Sequence, residues 1–248
     1  LQHEDQYVRN QACAALGRIG DPKAVNAIIP LLADTSHHCR NNAVEALGRL
    51  KAKRVLPQIQ EAWENSDERE HYRYAEAFVA LEEPALAIEA CKLSLTSPDR
   101  SIRGMAAQTL RFVQDKQAAV RLIMRHFPTE MEREIQAWEE RKIDDKQVVE
   151  RLGWALAKQT GEKLTSDPEV WHTWWLAHHE EYGVAEYSPP KNFEELLKRY
   201  RAPRIPPEPD RPPYTTRLEL VEGEADPTKR WSDAVHARSA RMIAAHPH

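Results

Sequence analysis

The chain has 248 residues, of which 41% are hydrophobic and 30% are charged, and its formal net charge is −4. Only 8 residues are glycine, which argues against an all-β fold and favours helices. Residues 1–127 carry 17 basic and 16 acidic side chains, and residues 128–248 carry 18 and 23. Neither half therefore has the basic excess that binding to nucleic-acid phosphates usually needs. No apolar run is long enough to span a membrane.

One phrase occurs twice near the start of the chain, at a spacing of 31 residues. The first copy begins at Asp5 and reads DQYVRNQACAALGRIGDPKAV, and the second begins at Ser36 and reads SHHCRNNAVEALGRL. Arg9 in the first copy corresponds to Arg40 in the second. A fixed period of this length predicts stacked helical hairpins, because a single hairpin cannot bury its own apolar face.

Each copy predicts two helices joined by a short turn. In the first copy we expect a helix from about Asp5 to Gly17, a turn at residues 20–22, and a second helix from about Pro22 to Leu32. Two more degenerate copies follow in similar register, one around His71 and one starting at Asp99. Residues 1–127 are thus predicted to form about four hairpins.

This pattern resembles HEAT repeats, particularly the short bacterial type that is also found in phycobilisome lyases. The resemblance implies an all-α, right-handed α-α superhelix. It also implies an internal ladder of aspartate and arginine side chains that ties adjacent hairpins together. The matching positions are Asp5, Arg9, Asp21, Arg40, Asp99 and Arg103. An alternative reading takes the arginines as an anion-binding track, but buried charges persist mainly when they are paired, which favours the ladder.

The repeat register is lost after Pro128, so residues 128–187 are predicted to form a helical capping region. We expect helices over about 130–142 (capped by Thr129) and 145–159, and a third that starts at Pro168. The third helix carries Trp171, Trp174 and Trp175 at i, i+3 and i+4, which places them on one face. They either seal the end of the solenoid or form an aromatic patch for a peptide or partner helix.

Residues 188–248 are predicted to be a Pro-rich linker and tail with a terminal helix. A short helix is expected over 193–200 and a final amphipathic helix over 231–245, with a weak strand pattern at 215–221 between them. The segment 202–214 contains six prolines and is predicted to be extended. It either wraps the body, extends away from it, or presents a PxxP ligand.

The residue pattern offers no convincing catalytic or cofactor site. Cys13, Cys39 and Cys91 lie in mostly apolar helical settings, which predicts buried free thiols. The runs His37–Cys39 and His178–Glu180 lack metal-ligand spacing. Deoxyhypusine hydroxylases of HEAT type hold iron through His-Glu pairs on several repeats. Here the positions equivalent to His3-Glu4 are Asp34-Thr35 in the second repeat and Asn65-Ser66 in the third, so we expect no metal and no such activity.

The leading hypothesis is a non-catalytic scaffold that binds a protein partner through the groove lined by the second helix of each hairpin. The candidate groove residues occupy the polar face of those helices and are Lys23, Asn26, Lys53, Arg54, Gln58 and Glu61. Two alternatives stay open, a bilin lyase or lyase subunit and a helical-repeat nucleic-acid-binding protein. We expect a cytoplasmic location, although the chain begins at Leu1 rather than Met, which leaves a removed signal peptide or upstream repeats open.

Overall fold

A computed structural model of the chain describes residues 1–141, 147–163 and 167–202. Over these ranges the regular structure is helical and contains no strand. The predicted segments around 202–214, 215–221 and 231–245 lie, apart from Ala202, outside the described residues. The α-helices, in chain order, are α1 (Gln6–Ile19), α2 (Val25–Ile28), α3 (His37–Arg49), α4 (Leu56–Glu64), α5 (His71–Ala80), α6 (Pro84–Thr96), α7 (Arg100–Thr109), α8 (Lys116–Arg141), α9 (Gln147–Thr160), α10 (Pro168–His178) and α11 (Phe193–Arg201).

The helices stack in two layers. The first helices of the hairpins, α1, α3, α5 and α7, pack each on the next, and α9 continues the same layer by packing on α7. The second helices are α2, α4, α6 and α8, and they form the other layer. The predicted all-α repeat solenoid is therefore confirmed. The stacking of α9 extends the first layer beyond the four hairpins that the sequence predicts.

Side-chain caps and one left-handed glycine set the ends of the first hairpin. The carboxylate of Asp5 accepts the Tyr7 N–H at 2.8 Å and begins α1. Gly20 ends this helix with φ at 79°, a conformation that costs glycine little because it has no Cβ. Asp21 then accepts the Lys23 N–H at 2.9 Å and opens the next helical turn.

The second helix of the first hairpin is not the continuous helix that the pattern predicts. Residues Pro22–Ala24 and Ile29–Ala33 are 3₁₀ turns, and only the short α2 lies between them. Pro30 has no N–H to donate to the carbonyl four residues earlier, so an α-helix cannot continue through it with its full hydrogen bonding. The apolar side chains of this segment are nevertheless buried, including Ile28 at 0% exposure.

Small residues let the first-layer helices approach closely. A Cβ placed on Gly17 would lie 2.7 Å from the Ala46 Cβ, so α1 and α3 touch nearly backbone to backbone. Gly48 meets Ala77 of α5 in the same way, since a Cβ added there would lie 3.1 Å from the Ala77 Cα. The repeated Ala-Leu-Gly phrase therefore encodes the contact between successive repeats, as well as the apolar face.

Helix α8 crosses the position where the repeat register is lost. The predicted start of a new helix at Thr129 is wrong, because α8 runs without a break from Lys116 to Arg141 with Pro128 inside it. Its neighbours supply the reason: Phe127 and Met131 on either side of the proline are buried, so packing stabilises a helix that proline alone would interrupt. The boundary predicted at residue 127, between the repeats and the capping region, stays a prediction. Helix α8 extends across this position.

Three arginines form the predicted ladder and share one geometry. The Arg9 guanidinium donates from Nη1 to the carbonyls of His3 and Glu4, six and five residues before it, while Nε and Nη2 donate to the Asp34 carboxylate at 2.8 Å. The Arg9 hydrogen bond lowers the pKa of Asp34 to about 2. Arg9 thus fixes the loop before its own helix and binds a carboxylate at the start of the next repeat.

The other two ladder arginines repeat this arrangement. Arg40 donates to the carbonyls of Asp34 and Thr35 and pairs with Glu70. Arg103 donates to the carbonyls of residues 97 and 98 and pairs with Glu130 at 2.9 Å. The carboxylates Glu70 and Glu130 are almost fully buried, at 3% and 0% exposure. These three arginines do not form an anion-binding track, because each guanidinium is already hydrogen-bonded to carbonyls and a carboxylate of the protein.

The prediction of which acidic residues pair with the ladder arginines is wrong. Asp5, Asp21 and Asp99 cap helix N-termini and are not partners of the ladder arginines: Asp99, for example, accepts the Ser101 N–H at 2.7 Å. The actual partners stand near the start of the following repeat, or within α8 for the last arginine. They are Asp34, Glu70 and Glu130.

Replacing Gly17 with alanine tests the backbone contact between α1 and α3. We expect Gly17→Ala to lower the free energy of unfolding by about 1–3 kcal/mol, because the added methyl meets the backbone of Ala46. Alanine's helix propensity alone would raise stability by ~1 kcal/mol. The matched control is Gly104→Ala in α7, where the nearest atom is the mobile end of Arg151. Urea denaturation of both variants makes the comparison, and equal changes would contradict the backbone contact.

Replacing Arg103 with lysine tests the guanidinium fork. Lysine keeps the charge but cannot reach Glu130 and two carbonyls at once, so we expect a loss of about 2 kcal/mol in the free energy of unfolding. Arg49→Lys is the control, because Arg49 forms an exposed i, i+4 pair with Glu45. There we expect a change within about 0.5 kcal/mol. Thermal or chemical unfolding measures the stability of both variants. If Arg103→Lys is as stable as the natural chain, the positive charge stabilises this site without the guanidinium fork.

Candidate functional site

All six residues predicted to line the groove are exposed on the second-layer helices and the turns that lead into them. Lys23 lies in the turn before α2 and Asn26 within α2. The remaining four lie in the turn before α4 and within α4, and they are Lys53, Arg54, Gln58 and Glu61. The structure therefore brings the polar faces of the first two repeats together on one layer.

Ion pairs and hydrogen bonds link these residues across repeats. Arg54 donates from Nη2 to the Asn26 Oδ1 at 2.8 Å, which joins the second repeat to the first. Lys53 donates to Glu82 of the third repeat at 2.8 Å, and this hydrogen bond lowers the pKa of Glu82. The face therefore has mixed charge, with Lys53 paired to an acidic side chain of the next repeat and Arg54 hydrogen-bonded to the preceding one. Such a surface suits a polar protein partner better than a run of phosphates.

A cleft of about 780 Å³ opens between α4 and the segment that follows α2. Gln58 and Glu61 lie on its α4 side, and its apolar lining includes Ile29, Leu32 and Ala62. Asp34 and Arg40 of the ladder also line it, which the sequence analysis missed. The repeat register could have found them, since both stand at the boundary between the first and second repeats.

A second, polar cleft of about 660 Å³ runs along the N-terminal halves of first-layer helices, with Arg40, Arg73 and Tyr72 among its lining residues. Within it Asn42 donates its side-chain amide to the side chain and carbonyl of Asn10 on the preceding repeat. The repeat pattern does not predict this cleft, although Asn10 recurs as Asn41 in the second copy. Its charges are balanced by ion pairs, so it offers no strong preference for one sign of ligand charge.

The three tryptophans of α10 do not form a common surface. Trp171 and Trp175 are buried, at 0% and 2% exposure, and Trp174 is half-buried. The Trp171 ring lies 4.4 Å from the Phe127 ring of α8, and it fills the space where Gly153 of α9 lacks a side chain. The prediction of an exposed aromatic patch is therefore wrong for Trp171 and Trp175. Their buried rings fit the alternative, in which they seal the end of the solenoid.

The histidine and cysteine clusters show no metal-binding geometry. No group of three or more His, Cys, Asp or Glu side chains in the described part of the chain could hold a metal ion. His178 and His179 instead contact the carbonyls of Trp174 and Val184 through Nδ1, at 2.7 and 2.6 Å. The three cysteines are buried free thiols, as predicted, and burial raises the pKa of Cys13 to about 12. A thiol in that state is a poor nucleophile.

One buried carboxylate of α8 has a strongly shifted pKa. Burial raises the pKa of Glu134 to about 7, even though three donors favour its charged form. The N–H groups of Val148 and Val149, at 3.1 and 3.0 Å, and the Tyr200 hydroxyl at 2.9 Å all donate to it. Shifted carboxylates are often catalytic, but this one caps α9 and anchors α11, so its contacts are structural.

None of the helices among the described residues combines the length and apolar character that a bilayer span requires.

Comparison with known protein families supports the repeat assignment. The family model described as HEAT repeats matches residues 1–82. Among solved structures, the chain is similar to an engineered protein determined by the Northeast Structural Genomics Consortium, with 17% identity and a TM-score of 0.41. That similarity covers 81% of this chain and 93% of the engineered one. The curated proteins contain no match.

The two stacked layers of helical hairpins define a member of the α-solenoid class of repeat proteins. Within that class, the matched segment contains the first two hairpins and helix α5 of the third. Residues 1–82 are similar to HEAT repeats, and the stacking of helical hairpins continues beyond this segment.

A glutamine in place of Glu134 tests the shifted carboxylate through the pH dependence of stability. The pKa is higher in the folded protein than the ordinary value of 4.5, so the folded state binds this proton more tightly. The stabilisation that protonated Glu134 gives the folded chain is complete below about pH 4.5. It is lost as pH rises through about 7, which changes the free energy of unfolding by ~3 kcal/mol. Glu134→Gln removes this pH dependence of the free energy of unfolding.

We therefore expect Glu134→Gln to gain stability relative to the natural chain as pH rises from about 4.5 to 7. Urea denaturation across this pH range measures the difference. Glu139→Gln, which alters an exposed carboxylate of the same helix, is the control and should show no such trend. Parallel pH profiles for the natural chain and Glu134→Gln would mean that the carboxylate titrates normally.

Proposed function

We propose that this protein is a non-catalytic HEAT-repeat scaffold that binds a protein partner along its second-layer face. The observation that carries the proposal is the exposed, mixed-charge row on the first two repeats, beside a cleft with an apolar lining. Solenoids use such extended faces as binding surfaces because each repeat adds a similar patch to the next. The polar rim and apolar interior match the anatomy of protein interfaces.

The size of the cleft is compatible with this role. A volume of about 780 Å³ accommodates several partner side chains, and Gln58 and Glu61 at its side can direct a polar partner by hydrogen bonding. The binding residues in this proposal are Lys23, Asn26, Lys53, Arg54, Gln58 and Glu61. Trp174 is half-buried and, unlike Trp171 and Trp175, retains some exposed surface.

The two alternative functions receive no specific support. A bilin lyase shares the repeat type, but fold similarity alone does not assign an activity. Nucleic-acid binding usually needs an excess of basic charge, whereas residues 1–127 carry 17 basic and 16 acidic side chains and Lys53 is paired with Glu82. A cytoplasmic location stays a prediction.

Reversing two charges on the face tests the proposal. The immobilised full chain is incubated with extract of its native source, and the retained proteins are compared with those retained by the Lys53→Glu/Arg54→Glu variant. We expect at least one retained protein to bind the variant ~10-fold more weakly, because charge mismatch at an interface disfavours the complex.

The control variant is Arg18→Glu/Lys163→Glu, which makes the same change in net charge at exposed sites outside the second-layer face. It should retain the same proteins as the natural chain. If both variants bind equally well, or both lose binding equally, the partner does not recognise this face.

A further inference from the structure

A separate apolar cleft lies at the C-terminal end of the same helical layer. It has a volume of about 470 Å³ and is formed by α6, α8 and the segment that includes and follows α10. Its apolar lining consists of Ile88, Leu122, Met124, Trp175, Val184 and Tyr187. Because α6 and α8 are the second helices of the third and fourth hairpins, this cleft belongs to the layer that carries the proposed scaffold face.

The lining has the composition of the centre of a protein interface. Aromatic residues, methionine and arginine are enriched there, and Trp175, Tyr187, Met124 and two arginines are all present. Ile88, Val184 and Tyr187 are only partly buried, so part of this apolar surface remains open to an occupant. A cleft of this size holds one or two bulky side chains.

The charge of the cleft has one sign. Arg121 and Arg125 stand one turn apart on α8 and both line it, and none of its lining residues in the described part of the chain is acidic. Arg121 is held by a 2.8 Å hydrogen bond from Nη1 to the Tyr182 carbonyl. Arg125 is exposed, and no ion pair to another described residue neutralises it. An occupant with a carboxylate would therefore complement this cleft.

One buried donor in the cleft wall is also unsatisfied. Trp175 is 2% exposed, and its indole N–H has no hydrogen-bond acceptor among the described residues. An unpaired buried donor costs free energy in the folded chain.

We infer that this cleft binds an acidic segment of a protein partner, with a bulky apolar side chain seated in the cleft and a neighbouring carboxylate on Arg125. The inference rests on the proposed scaffold function and adds the chemistry of the segment that the partner must present. The apolar group supplies the buried contact area, and the carboxylate selects segments by charge.

The test selects ligands without knowing the natural partner. Short random peptides displayed on phage are panned against the full chain, and the enriched peptides are labelled and titrated by fluorescence anisotropy. We expect enriched peptides to place Asp or Glu beside a Leu, Ile, Phe or Trp. Ala118→Trp, which fills the cleft, and Arg125→Glu, which reverses its charge, should each weaken binding at least ~10-fold.

Matched controls separate the cleft from general effects. Gln11→Trp adds the same side chain at an exposed position of α1, and Arg18→Glu makes the same charge change on that helix, so both should bind the peptides as the natural chain does. Circular dichroism melting checks that each variant folds. Peptides without a carboxylate, peptides that bind Ala118→Trp unchanged, or an absence of enrichment would each overturn the inference.

The same experiment distinguishes this inference from the proposed function. Peptides that lose binding to Lys53→Glu/Arg54→Glu but bind Ala118→Trp and Arg125→Glu normally would support the scaffold face on the first two repeats and overturn the acidic-segment site. Peptides with the opposite behaviour would support the site at α6 and α8 and move the scaffold function to that end of the layer.

Discussion

A single arginine fork, used three times, holds this solenoid together. Each guanidinium divides its donors between two carbonyls just before its own helix and a carboxylate 25 to 30 residues further along the chain, from the following repeat for Arg9 and Arg40 and from α8 for Arg103. The entry of each helix and its distance from the next repeat are therefore fixed by the same side chain. The third repeat has His71 at the corresponding position, where its ring lies 6.2 Å from that of Trp63 in the second repeat.

The repeat period made much of the first layer predictable. The phrase that begins at Asp5 and again at Ser36 located α1 and α3, and the structure places its glycines at the contact between successive repeats. The partners of the arginines were less accessible, because they lie 25, 30 and 27 residues further along the chain and so keep no fixed register. The capping aspartates do recur at fixed positions of the repeat, so they were wrongly predicted to be the partners of the arginines.

The candidate site shows the same division between local and long-range information. The exposure of residues such as Lys53 and Gln58 follows from helical periodicity, since they stand opposite the buried stripe. The clefts do not follow from it. Ile88, Leu122 and Val184 come from distant parts of the chain and meet only through packing, which no local pattern encodes. The burial of Trp171 likewise depends on Gly153 and Phe127 in other helices.

The long helix α8 changes how this molecule should come apart. In a simple repeat array each unit contacts only its neighbours, so ends fray one repeat at a time. Helix α8 packs on α6, α9 and α11 at once and carries both Glu130 and Glu134. We therefore expect the described residues of α6, α8, α9 and α11 to unfold as one cooperative block with similar protection against hydrogen exchange. The first two repeats lack such a spanning element, and we expect them to open at a lower free energy.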